Sequence, residues 1–107
     1  MNYPKLPSFR LDGKNALVTG AGRGIGMGAS IALAESGANV TLVSRTDSEL
    51  KELTKHINSL GYKSSYVAID VNDEKAISKL IEDSDPFDIL INNAGTNKPA
   101  KLIDTDL

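Results

Sequence analysis

"ALVTGAGRGIG", residues 16–26, decides how this chain of 107 residues is read. Glycine recurs at 20, 22, 24 and 26, directly after the short apolar run "NALVT" (Asn15 to Thr19), which reads as a strand. The following "IGMGASIALAESG" reads as a helix packed closely on something: Gly28, Ala29, Ala32 and Ala34 let a backbone approach, and Gly37 is a natural stop. A strand, a glycine turn and a helix can aim backbone N–H groups at a phosphate with no Cβ in its path. In that reading Gly20 permits the sharp turn, Gly24 admits the phosphate, and Gly26 lets the helix pack on the strand. The positive end of the helix dipole adds to the attraction.

The pattern repeats outward from there. "NVTLVS" (39–44) is β-branched and short, hence a second strand. Thr46 with Glu49 fits a capping box, and Leu50, Leu53, Ile57 and Leu60 follow at helical spacing until Gly61. "SSYVAI" (64–69) is a third strand. "NDEKAISKLIED" (72–83) opens with a capping Asn or Asp and acidic residues, and Ile77, Leu80 and Ile81 form its apolar side. "FDILIN" (Phe87 to Asn92) is a fourth strand. Apolar strands alternating with helices imply an α/β fold: a parallel sheet covered on both faces. Right-handed crossovers predict a doubly wound sheet in the strand order 3-2-1-4.

Composition narrows the partners. The chain is 40% apolar and 24% charged with a net charge of −2, the profile of one small globular domain. No basic block calls for nucleic acid or an anionic membrane. With no cysteine, disulfides, thiolate metal sites and a Cys nucleophile are excluded. The start, "MNYPKLPSFRLDGK", has two prolines and no apolar run, unlike a signal peptide, so residues 1–13 read as an N-terminal extension and the cytoplasm as the expected location. His56, the single histidine, has Lys51, Glu52 and Lys55 around it and reads as a surface residue. The charged run near residues 72–85 reads as a solvated helix face rather than a metal site.

The glycine spacing is more specific than a glycine-rich turn. G-x-G-x-x-G fails from Gly20 and from Gly22, whereas T-G-x-x-x-G-x-G fits Thr19, Gly20, Gly24 and Gly26. "AIDV" closes the third strand and "NNAG" (Asn92 to Gly95) the fourth. Together these stretches resemble the short-chain dehydrogenase/reductase family over residues 9–97. The resemblance implies the N-terminal part of a Rossmann-type sheet that binds a nicotinamide dinucleotide. It places Gly20, Gly22, Arg23, Gly24, Ile25 and Gly26 along the cofactor. Asp70 would meet the adenine amino group and Val71 line the ring. Asn93, Ala94 and Gly95 would line the cofactor, with Asn93 and Gly95 near the ribose.

The end of the second strand bears on the choice of cofactor. An NAD site commonly has an acid there to accept from the ribose hydroxyls. Here the strand ends in Ser44 and then Arg45, so no carboxylate repels a 2′-phosphate. In the family, basic residues at the positions of Arg23 and Arg45 clamp that phosphate, which favours NADP over NAD. Each charge-assisted contact contributes about 1.5–3 kcal/mol. Arg45 carries most of this reading, because relatives of both preferences have Arg in the loop.

Family members move a hydride between a carbonyl or alcohol substrate and the nicotinamide, using an Asn, a Ser and a Tyr-x-x-x-Lys. That last motif has no place here: Tyr3 is followed at the required distance by Pro7, Tyr62 by Tyr66, and Tyr66 by Asp70. The chain therefore reads as the N-terminal portion of a longer reductase, with its catalytic residues past Leu107 and no turnover of its own. Its fourth strand would be an apolar edge, so marginal stability or aggregation is expected. The substrate would be a small carbonyl or alcohol, such as a 3-oxoacyl, sugar or polyol compound, and the longer protein a homo-oligomer. A non-catalytic NADP-binding domain is the second reading. An S-adenosylmethionine methyltransferase is a third: Gly22, Gly24 and Gly26 match its G-x-G-x-G, but acids are missing before the loop and after the second strand.

Overall fold

The computed structural model describes residues 10–93. The elements run β1 (Asn15–Thr19), α1 (Gly24–Glu35), β2 (Asn39–Ser44), α2 (Asp47–Ser59), β3 (Lys63–Ala68), α3 (Glu74–Asp83) and β4 (Ile89–Asn92). The strands form one sheet in the order β3-β2-β1-β4, and every pairing is parallel. The doubly wound order expected from the alternation is the one observed.

Register explains the core. Ala16 lies beside Val40 and Ile89, and Val18 beside Leu42 and Ile91, so these residues share one face. They pack with Ala34 of α1 and with Leu50, Leu53 and Ile57 of α2 into a single buried cluster. The first two crossovers step in one direction from β1 to β3, so their helices cover the same face. The third returns to the far side of β1, which puts α3 on the other face.

That second face is thinly covered among the described residues. No residue of α3 is buried, and Ile81, expected in its apolar side, is half exposed, while Ile77 and Leu80 are only half-buried. Leu90 of β4 is 63% exposed although it lies beside the buried Leu17 of β1. An amphipathic pattern marks which side of a helix is apolar. It does not say whether enough neighbours arrive to cover that side.

Three further expectations are corrected. The capping box is not formed: Thr46 is the N-cap of α2 but makes no side-chain cap bond, and Glu49 reaches elsewhere. Leu60 is the C-cap of α2, past the helical stripe that Leu50, Leu53 and Ile57 bury, and is half exposed. On α1 the buried residues are Gly26, Ser30 and Ala34, whereas Gly28 and Ala32 face outward. Both sets recur at four-residue spacing, so small size alone could not choose between the two stripes. At α3 the acid that caps is Asp73, whose Oδ1 accepts from the Ala76 N–H at 3.1 Å.

Part of the segment read as an extension belongs to the domain. Leu11 packs on the core and donates its N–H to the Ser36 carbonyl at 2.7 Å. Arg10 donates to Asp12 Oδ1 at 2.7 Å and to the Glu35 carbonyl at 3.0 Å, forming a clasp over the end of α1. Gly37 sits beneath that clasp at φ +103. A methyl there would meet Asp12 Oδ1 and lie 2.8 Å from Arg10 Nη2. Gly37→Ala is expected to lower stability by about 1–2 kcal/mol in urea unfolding, mainly through the backbone conformation.

The hydrogen bond from Arg10 holds the Asp12 carboxyl below its ordinary pKa, against desolvation and with some help from the arginine's charge. A lowered folded-state value means that the clasp's stabilisation is complete above the unfolded-state pKa and is lost as pH falls through the lowered one. NMR titration of Asp12 should show this depression, and Arg10→Gln should abolish it. Both side chains are exposed, so the effect on overall stability is small.

Candidate functional site

At the carboxyl edge of the sheet, β1 turns into α1 through Gly20–Arg23. Gly20 has φ +63 and Gly24 φ +60, left-handed conformations that explain glycine at both positions. Ala21 is fully buried and donates its N–H to the Val43 carbonyl at 3.2 Å, tying the loop to β2. The tightest contact is at Gly26. A methyl there would fall on the Gly20 carbonyl oxygen, 2.8 Å from its carbon and 2.9 Å from Asn93 Nδ2. The helix therefore rests on its own approach turn, backbone against backbone.

The start of α1 is open to solvent. Arg23 is its N-cap in an extended conformation and makes no side-chain cap bond, and no acid stands in the first turn. The first N–H groups of a helix lack internal partners, so this end favours an anion. A methyl at Gly24 would meet nothing within 4 Å. Space, donors and dipole thus coincide at one point. Ile25 follows as an apolar side chain that is 79% exposed.

Hydroxyls knit the neighbouring strand ends together. Thr19 Oγ1 lies 2.9 Å from Asn92 Oδ1 and accepts from the Asn93 N–H at 3.0 Å. Ser30 donates to the Gly26 carbonyl at 2.7 Å from a fully buried position. Sequence reasoning did not single out Ser30; the signal was its four-residue spacing from Gly26 and Ala34. At the end of β2, Ser44 Oγ accepts from the Thr46 N–H at 3.2 Å. Arg45 is exposed and forms no ion pair among the described residues.

Arg23 is engaged differently from the sequence expectation. Its Nη2 lies 3.3 Å from Glu49 Oε2, across the gap between the loop and α2. After β3, Asp70 Oδ1 accepts from the Asn72 N–H at 2.9 Å, so this oxygen organises the turn into α3. Asp70 and Val71 are half-buried. The structure therefore brings Gly20, Gly22, Arg23, Gly24, Ile25, Gly26, Ser44, Arg45, Asp70, Val71 and Asn93 to one edge of the sheet. Ala94 and Gly95 lie outside the described residues. His56 is exposed on α2, and no cluster that could hold a metal occurs among the described residues.

Residues 14–107 match the family model described as short chain dehydrogenase. The chain belongs to the short-chain dehydrogenase family. It is 41% identical over 106 residues to gluconate 5-dehydrogenase of Gluconobacter oxydans, covering 95% of this chain and 41% of that protein. Among solved structures it resembles L-sorbose reductase of Gluconobacter frateurii complexed with NADPH and L-sorbose. That match has 31% identity and a TM-score of 0.76, over 86% of this chain and 37% of that one. A metagenomic short-chain oxidoreductase in complex with NADP matches at 32% identity and TM-score 0.73, over 85% of this chain and 47% of that one. The chain thus spans less than half the length of these relatives. Family membership sets aside the methyltransferase reading. No helix among the described residues is long and apolar enough to cross a membrane.

The contact at Gly26 yields a paired expectation. Gly26→Ala should cost about 1–3 kcal/mol, because the new methyl would fall on the Gly20 backbone, which has little room to give. Gly28→Ala, two positions on, meets open space and should stabilise by about 0.5–1 kcal/mol through helix propensity. Urea unfolding of the two variants checks the opposite signs.

Proposed function

We propose that this chain is the NADP(H)-binding part of an oxidoreductase that transfers hydride between the nicotinamide and a carbonyl or alcohol substrate. The observation that carries this reading is the open α1 N-terminus with Arg45 exposed at the end of β2, where Ser44 stands instead of an acid. The residues fit the cofactor: at Gly24 there is room where a Cβ would otherwise intrude, beside helix N–H groups without partners. Two similar solved structures are complexes with NADP or NADPH, which supports the same choice.

When bound, the nicotinamide supplies or accepts the hydride. This chain's residues bind and orient. Gly20, Gly24 and Gly26 let the α1 N–H groups close on the pyrophosphate. Ser44 has already accepted one hydrogen bond and keeps its own proton to donate to the ribose end. Arg45 supplies a fork of donors for a 2′-phosphate. Asp70, with one oxygen held by the turn, offers the other to the adenine amino group, and Val71 lines the ring. Asn93, whose N–H is held by Thr19, lines the cofactor on the ribose side.

In this reading the 107 residues bind cofactor and do not turn over a substrate, because no Tyr-x-x-x-Lys is among them. The substrate class is a small carbonyl or alcohol, with sugars and polyols favoured by the gluconate and sorbose relatives. The longer protein would be a cytoplasmic homo-oligomer. Calorimetry should show NADPH binding more tightly than NADH. Arg45→Asp should erase about ten- to a hundredfold of that difference, the equivalent of one charge-assisted contact. An unchanged preference in the variant would refute the clamp.

A further inference from the structure

Glu49 takes no part in the capping that its spacing suggested, and its carboxylate lies at the ribose end of the proposed site. Oε2 is 3.3 Å from Arg23 Nη2. Oε1 is 2.7 Å from the point where a Cβ would stand on Gly22, and Ser44 Oγ is 3.5 Å from that same point. The carboxylate therefore sits among the glycine loop, the end of β2 and Arg23. Gly22 has no side chain where one would push it away.

Resting on the cofactor reading above, we propose that Glu49 is a specificity-determining residue for the adenine ribose. Its carboxylate stands in, from the first turn of α2, for the acid that β2 does not end in. A carboxylate only accepts hydrogen bonds, so it favours a free 2′-hydroxyl, which can donate. It opposes a 2′-phosphate by like charge. It also competes for Arg23, whose side chain is 79% exposed against 34% for Glu49, so the arginine is the partner free to swing away. The site then accepts both forms of the cofactor, with its NADP preference held below what Arg23 and Arg45 alone would give.

The test compares two probes that differ only in the 2′-phosphate: adenosine 2′,5′-bisphosphate and 5′-AMP. Their dissociation constants are measured by calorimetry on the full chain, on Glu49→Gln and on Glu49→Ala. Both variants should shift the ratio about three- to tenfold toward the bisphosphate, the effect of removing one charge several ångströms from a phosphate in a solvated site. A merely structural role would weaken both probes together and leave the ratio alone. Wild-type binding with an unchanged ratio in the variants overturns the role of Glu49. Wild type binding neither probe overturns the cofactor reading, and this proposal with it.

Discussion

Everything at the carboxyl edge of this sheet depends on the backbone contact between Gly26 and the Gly20 carbonyl. There is no room for a single methyl between them. Because the contact is backbone on backbone, it fixes the height and direction of α1 more firmly than packed side chains would. It also fixes where the free N–H groups at the start of the helix point. Ser30 and Ala34 continue the same face one turn apart, and the Ser30 hydroxyl closes on the Gly26 carbonyl instead of demanding a partner elsewhere. A buried hydroxyl without such a bond would cost about 1–3 kcal/mol.

The same contact reaches β4. Asn93 lies within reach of the Gly26 position and is held by Thr19, which also meets Asn92. Thr19 thereby joins the end of β1 to the residues after β4, on the side of the loop away from Arg45. The carboxyl edge of the sheet is thus built from short polar side chains and glycines. The core beneath it is built from Ala, Val, Leu and Ile. Small residues near the loop keep the backbone close, and larger ones further along α2 supply the buried area that stabilises the domain.

Local chemistry made most of this legible in the sequence. The strand order follows from alternation and handedness, and left-handed Gly20 and Gly24 follow from the need to turn and to leave space. What was not legible depended on long-range choices. Gly26, Ser30 and Ala34 compete with Gly28 and Ala32 as the close-packed stripe, and only the position of β1 decides between them. Ile81 and Leu60 carry apolar side chains at helical spacing, yet each stays half exposed among the described residues. Glu49 matched a local capping pattern, but the cation across the gap, Arg23, drew its carboxylate away. A capping interaction, about 0.5–2 kcal/mol, and an exposed ion pair, about 0.2–1 kcal/mol, overlap in size, so spacing alone cannot rank them.

That overlap has a consequence for selectivity. Discrimination between two ligands is a difference of affinities, set as much by what repels as by what attracts. In the proposed site Arg45 would attract a 2′-phosphate, Ser44 is neutral, and Arg23 is shared with an acid on α2. A reading from strand ends alone counts two cations and no anion. The folded chain adds Glu49, brought in by a helix whose register is set by Leu50, Leu53 and Ile57 against the sheet. Because Leu50 is fully buried beside it, the backbone of Glu49 is held at this edge by the first turn of α2. The carboxylate that pairs with Arg23 is thus carried on a helix anchored by the hydrophobic core.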